Sequence, residues 1–176
     1  DEGPGRIKLD KIPTLKPAFK KDGTITAASS SSINDGAAAL VLMRASTAAQ
    51  LGSKPLARIV AHAVHAQAPN WFATAPVGAV NKLLSKAGWT VADVELWEVN
   101  EAFAVVPMAL MHELGLSHDI VNVNGGACAL GHPIGASGAR IMVTLIYALQ
   151  ARGLKKGVAT LCIGGGEATA VALELL

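Results

Sequence analysis

The chain has little of what marks a specialised surface. Three Phe, three Trp and one Tyr are all its aromatics, and charged side chains make up 16% of its 176 residues. The net charge of +2 (15 minus 13) comes with no Lys/Arg-rich block, which argues against nucleic acid or an anionic membrane as partner. No uncharged apolar run approaches the roughly 18 residues that a membrane span needs. The two cysteines, Cys128 and Cys162, lie in apolar, glycine-flanked runs and do not form a disulfide framework. No CxxC or HxxxH spacing suggests a metal. The opening residues are polar and charged and show no signal-peptide pattern; a targeting segment removed from in front of them stays open. A soluble chain in a reducing compartment is expected.

What the chain does have is Ala, Val, Leu and Gly, with 51% hydrophobic residues overall. That composition suits strands buried on both faces and helices packed close on small residues. Residues 1–23 hold three prolines, three glycines and six Lys/Arg and read as an extended surface segment. With no initiating Met, the chain is expected to begin mid-protein. Residues 24–27 could open a strand, and residues 29–32 are a serine run before the turn signal Asn34-Asp35-Gly36. Residues 37–43 have strand length, and residues 45–51 suit a short helix stopped by Gly52.

From Pro55 onward strands and helices alternate. Strands are expected over 56–66, 94–99, 120–123, 157–163 and 168–176. Helices are expected over 77–87, 101–114 and 133–152. The order β-α-β-α-β-α-β-β implies an α/β fold with a mixed five-stranded sheet. It is largely parallel and covered on both faces, its last two strands antiparallel about Gly164-Gly165-Gly166. Such sheets bind ligands at the carboxyl ends of their strands.

Three polar motifs fall at those ends. The strand 94–99 runs into Asn100-Glu101-Ala102-Phe103, the strand 120–123 leads to Gly131-His132-Pro133, and the strand 157–163 ends at Cys162-Ile163-Gly164. Each has a plain structural explanation. Asn100 is a good helix cap, Cys162 a small buried hydrophobe, and His132 could simply cap the apolar helix that follows Pro133. Their joint occurrence at strand ends is what points to a site. A histidine base, a thiol and glycine N–H groups suit acyl transfer with proton transfer. The glycine loops match neither a P-loop nor a dinucleotide fingerprint.

Asn100-Glu101-Ala102-Phe103, Asn124-Gly125-Gly126-Ala127 with Gly131-His132-Pro133-Ile134-Gly135-Ala136-Ser137-Gly138, and Cys162-Ile163-Gly164-Gly165-Gly166 resemble the three carboxyl-terminal signatures of thiolases. Asn34-Asp35-Gly36-Ala37-Ala38-Ala39 resembles a fourth, and the likeness is greatest to the acetyl-CoA C-acetyltransferase group. The resemblance implies two similar halves in layers α-β-α-β-α. Residues 55–176 would be the carboxyl-terminal domain, 24–54 the last strand and helix of the amino-terminal half, and 1–23 the exit from a loop region. It implies condensation of two acetyl-CoA to acetoacetyl-CoA and CoA, or the reverse thiolysis, through an acetylated cysteine that lies in the half this chain lacks. By resemblance, His132 activates that nucleophile, Cys162 moves the α-carbon proton, Asn100 orients a water in one oxyanion hole, and the Gly164 N–H belongs to the second. Phe72 and Phe103 fall where the family lines the acyl pocket, and Ser31 where it contacts the pantetheine arm. The family often has Gly-Asn-Ala-Ser where this chain has Ala28-Ser29-Ser30-Ser31, and an apolar residue at Cys128. The other four histidines match no signature.

The partners so implied are coenzyme A thioesters as substrates, with no separate cofactor or metal, an amino-terminal thiolase half, and a homo-oligomer, dimer or tetramer. Without that half a large apolar face should be exposed. A cytoplasmic location is expected, with mitochondria and peroxisomes open to the same family. Two other functions compete: a 3-ketoacyl-CoA thiolase of broader chain length, and a non-catalytic CoA-binding module. A decarboxylating ketoacyl synthase of the same fold is opposed by Cys162, since those enzymes place histidine or asparagine there.

Overall fold

A computed structural model describes residues 3–176. Among the described residues, six helices are α1 (Gly3–Arg6), α2 (Ala45–Gln50), α3 (Ala75–Ala87), α4 (Val105–Leu114), α5 (Ala127–Leu130) and α6 (Ser137–Arg152). Four strands are β1 (Ala57–Ala66), β2 (Leu96–Val99), β3 (Lys156–Ile163) and β4 (Glu167–Leu175), in the sheet order β1-β4-β3-β2. β2 and β3 are parallel, while β4 runs antiparallel to both β3 and β1. β1, β2 and β3 therefore point the same way, with one reversed strand inserted between β1 and β3.

The side-chain period of two divides the sheet into two cores. Val158 and Cys162 of β3 and Ala168, Ala170 and Ala172 of β4 pack with α3 and α4. Leu96 of β2, Ala159 of β3 and Leu173 of β4 pack with Ile141, Leu145, Ile146 and Leu149 of α6. The alanine stripe on β4 lets α3 lie close, and Gly78 of α3 sits so near the His65 ring that a Cβ would fall 2.5 Å from it. On the other face, burial of an α6 leucine such as Leu145 (0% exposed) contributes about 1.5–3 kcal/mol. Trp97 and Val99 face α3 and α4, so Leu96, Glu98 and Asn100, two residues apart along the chain, face the α6 side.

The sheet has four strands where the sequence suggested five. Residues 118–120 form a 3-10 turn, and the expected strand 120–123 shrinks to one parallel bridge from Val121 to Trp97. Its place is nonetheless kept beside β2, because the Asn122 side chain substitutes for a ladder. Asn122 Oδ1 accepts from Val99 N at 2.8 Å, and its Nδ2 donates to Val99 O at 2.8 Å. Holding that side chain against β2 turns the backbone to φ 49°, a left-handed conformation that asparagine tolerates.

Other boundaries differ for local reasons. Residues 24–27 form no strand; Thr26 caps a short 3-10 turn over Ala27–Ser29, and Ser30 bridges Phe103. Residues 37–43 have no ladder partner among the described residues and leave Val41 87% exposed. The helix expected from 101 starts at Val105, since residues 101–104 are drawn into the loops beside them. The helix expected from Pro133 starts at Ser137, and the short α5 precedes it.

Replacing Asn122 with Ala strands both the amide and the carbonyl of buried Val99. The expected cost is about 2–4 kcal/mol of unfolding free energy, read from the denaturant midpoint. A loss below about 0.5 kcal/mol would show that β2 does not depend on this side chain.

Candidate active site

His132 and Asn100 meet. Asn100 leaves β2 with its amide bonded to Thr160 O of β3 at 3.0 Å, and its Nδ2 lies 3.3 Å from His132 Nε2. On the far side of the ring, His132 Nδ1 is 2.6 Å from Ser137 Oγ. The Ser137 hydroxyl donates to Pro133 O at 3.1 Å and is fully buried. With its one hydrogen committed there, Ser137 Oγ accepts from His132 Nδ1–H. Nε2 is then the lone-pair nitrogen, facing the Asn100 amide. Burial, and next the positive charge of Arg140, hold His132 below the ordinary imidazole range, so the ring is neutral at neutral pH and able to take a proton. Asn100 is 1% exposed, and its Oδ1 has no hydrogen-bond partner, leaving a free acceptor beside the imidazole.

Two devices bring the histidine loop to β2. The first is the carboxylate of Glu101, which accepts from Asn122 Nδ2 at 2.7 Å and from the Cys128 amide at 3.1 Å. It thus caps α5 and pins the start of the loop. The carboxylate fills the space over Gly126, where a Cβ would lie 2.1 Å from it. The second is the segment Ser29–Asn34, which threads between the two loops. Ser31 N and Oγ both donate to Ala102 O, at 3.1 and 3.0 Å, and Ala104 N donates to Ser29 O at 2.9 Å. A few residues on, His132 N donates to Ser32 O at 2.9 Å, and Ile33 bridges His132. Gly131, at φ 93°, passes so close that a Cβ would sit 2.4 Å from Asn34 Oδ1.

Cys162 and Gly164 stand one strand away. Cys162 is 7% exposed at the carboxyl end of β3, two residues beyond the partner of Asn100, and Gly164 opens the exposed turn to β4. Neither has a hydrogen bond to His132 or Asn100 among the described residues. Burial pushes the Cys162 thiol above its ordinary value, so at rest it is a thiol and not a thiolate. Burial, with the Glu101 carboxylate beside it, pushes Cys128 up to about 11, which leaves that thiol a poor nucleophile.

The aromatic residues line an open pocket. Phe72 and Phe103 meet edge to face at 6.1 Å, and Phe19 meets Phe103 at 5.6 Å. Together with Lys20 and residues 23–25 they line a space of about 440 Å³. Ser31 binds the loop behind Phe103, with its hydroxyl directed at Ala102 O. Sequence reasoning missed Phe19, whose surroundings read as an extended surface segment, and the supporting roles of Glu101, Asn122 and Ser137. Ser137 had a readable signal, since it falls five residues after His132 in the first turn of the helix the histidine precedes.

The chain matches the family model "Thiolase, C-terminal domain" over residues 53–175 and "Thiolase, N-terminal domain" over residues 1–46. It is 58% identical to the acetyl-CoA acetyltransferase of Chromobacterium violaceum over 165 residues, which is 94% of this chain and 42% of that protein. Among solved structures, the acetyl-CoA acetyltransferase of Bacillus anthracis superposes with a TM-score of 0.93 at 48% identity, covering 97% of this chain and 43% of that one. The Acat5 thiolase from Ascaris suum, solved with coenzyme A, superposes with a TM-score of 0.89 at 44% identity, covering 100% and 46%. The chain thus spans about two fifths of the length of the curated relatives it matches.

The Ser137 contact makes a spectroscopic prediction. In ¹⁵N-labelled protein near pH 7.5, His132 should show a protonated Nδ1 and an unprotonated Nε2. Ser137→Ala should yield a tautomer mixture. A wild-type ring protonated at Nε2 would overturn the donation from Nδ1 to Ser137.

Proposed function

The chain belongs to the thiolase family, and on that premise we propose that it is the carboxyl-terminal part of an acetyl-CoA C-acetyltransferase. The observation that carries this reading is the neutral His132, held between Asn100 and Ser137 with its lone pair on Nε2. The names of its relatives, and the coenzyme A bound to one structural neighbour, support coenzyme A thioesters as substrates.

In this reading the nucleophilic cysteine comes from an amino-terminal half. His132 Nε2 takes the proton of that thiol as it attacks acetyl-CoA; the acetyl group passes to the enzyme sulfur, and coenzyme A leaves with the proton of the Cys162 thiol, so that Cys162 becomes a thiolate able to accept a proton. A second acetyl-CoA then loses an α-proton to Cys162. The resulting carbanion attacks the acetyl-enzyme carbonyl, forms the C–C bond of acetoacetyl-CoA and expels the enzyme thiolate. The amide of Gly164 faces the enolate oxygen, and a water on Asn100 Oδ1 faces the other carbonyl. Thiolysis reverses these steps and requires Cys162 to donate its proton. Its elevated pKa supports that direction, because burial keeps the sulfur protonated. The pocket lined by Phe19, Phe72 and Phe103 is the place for the acyl group and the apolar arm of the thioester. Ser31 lies behind it, on the pantetheine side.

An amino-terminal half also accounts for the exposed apolar side chains. Val41 (87%), Leu42 (66%) and Tyr147 (58%) lie about a cavity of about 500 Å³ between residues 39–43 and α6. Covering them would remove the contiguous apolar surface that isolated monomers rarely keep. The proposed enzyme is a homo-oligomer, dimer or tetramer, located in the cytoplasm. Among the described residues no helix is long and apolar enough to cross a membrane.

The test is thiolysis of acetoacetyl-CoA by coenzyme A. The chain alone should show no turnover, and the chain joined to an amino-terminal thiolase half should restore it. In that full-length enzyme His132→Ala should lower kcat by about 10² to 10⁴-fold. Turnover by the 18.0 kDa chain alone would move the nucleophile to Cys128 or Cys162 and overturn the assignment of roles. Light scattering should find the chain alone associated; a stable monomer at high concentration would refute the uncovered face.

A further inference from the structure

The strand and the helix that flank His132 also carry an ion pair that the chemistry above does not use. Glu98 is 2% exposed, faces the α6 side of β2, and sits two residues before Asn100. Arg140 is on α6, three residues after Ser137 and so on the same face of the helix. Arg140 Nη1 donates to Glu98 Oε2 at 3.4 Å and to Thr144 Oγ1 at 3.4 Å, and Glu98 Oε1 has no hydrogen-bond partner. The two residues that touch the His132 ring, Asn100 on Nε2 and Ser137 on Nδ1, thus belong to the same strand and helix that hold the pair.

A buried carboxylate with one oxygen unpartnered is an incomplete partner for a guanidinium, and it demands a reason beyond stability, since an apolar pair of the same volume would pack as well. We propose that Arg140 and Glu98 are positioning residues that set the basicity of His132: Arg140 opposes protonation of the ring, and Glu98 tempers that opposition. The inference rests on His132 acting as the base.

Among the described residues the charges about the ring are few. On α6 there is Arg140; on β2 and the loop after it, Glu98 and Glu101; just after the threading segment, Asp35, exposed across Pro133; on β3, the uncharged Cys162 thiol; and beside Glu101, the uncharged Cys128. Glu101 is already engaged by Asn122 and the Cys128 amide. Burial pushes Glu98 up to about 7 against the pull of Arg140, so near neutrality its carboxyl is only partly ionised and only partly offsets the guanidinium. The sign follows. Removing Arg140 removes a repulsion on the imidazolium, and the His132 midpoint rises; removing the Glu98 charge removes an attraction, and the midpoint falls.

The experiment is a pH titration of the His132 Cε1–H resonance in the full-length enzyme proposed above, assigned by its loss in His132→Asn. Arg140→Met should raise the midpoint by about half a unit or more. Arg140→Lys, which keeps the charge, should restore most of the wild-type value. Glu98→Gln, close to isosteric, should lower the midpoint by a smaller step. In turnover, the acid limb of the pH–rate profile should move with each midpoint. Unchanged midpoints in Arg140→Met and Glu98→Gln would overturn the proposal and leave the pair a structural one. If Arg140→Met does not fold, an unchanged or raised midpoint in Glu98→Gln does the same. Because the readout is a titration, an enzyme without thiolase activity would sink the function proposed above and still decide this inference.

Discussion

The carboxylate of Glu101 accepts from the Asn122 side chain and from the Cys128 amide, and so ties the end of β2 to the loop that carries His132. Much of the site's geometry hangs on that half-buried group. Asn122 stands in for a missing strand and reaches Glu101 with the amide that also binds Val99. The amide of Cys128 belongs to the first turn of α5, where an N-terminal carboxylate is favoured by the helix dipole. Loop, edge and strand meet at one acceptor, and the glycine at 126 keeps the space open for it.

The segment Ser29–Asn34 completes the arrangement from the opposite side, bonded to Ala102 and Ala104 after β2 and to the amide of His132. These are backbone contacts between stretches about 70 and 100 residues apart in sequence, closed without a regular ladder. The loops are positioned by single bridges and capped amides. Most of the buried polar groups about the site have a named partner, as buried polar groups generally do. The exceptions are Asn100 Oδ1, next to the imidazole, and Glu98 Oε1, two residues before Asn100 on β2.

Burial favours the uncharged forms of several titratable groups about the site. Burial disfavours the imidazolium of His132, the thiolates of Cys162 and Cys128, and the carboxylate of Glu98. Proton transfer among neutral groups in a buried site requires donors already in place, and the Asn100 amide is one such donor.

Much of this was legible in the sequence. The alternation of strands and helices, and two of the motifs at strand ends, Asn100 after β2 and Cys162 at the end of β3, followed from periodicity, proline and glycine placement; the histidine motif follows a single bridge and the short α5 instead of a strand. The family resemblance rested on side chains whose chemistry the motifs display. What only the tertiary structure decided was how the pieces close. A four-residue apolar run such as 120–123 has the pattern of a strand whether or not a neighbour completes its ladder; in the folded chain the Asn122 side chain takes that place and the sheet has four strands. Residues 37–43 read as a strand for the same reason and have no ladder partner among the described residues. Phe19 does lie on an exposed segment, as its surroundings suggest, and nothing local announces that its ring meets Phe103. Period and capping are local properties, and a sequence carries them outright. Ladder partners, a carboxylate shared by three segments, and the charge near a histidine are set by contacts between distant residues, which only the folded chain brings within reach.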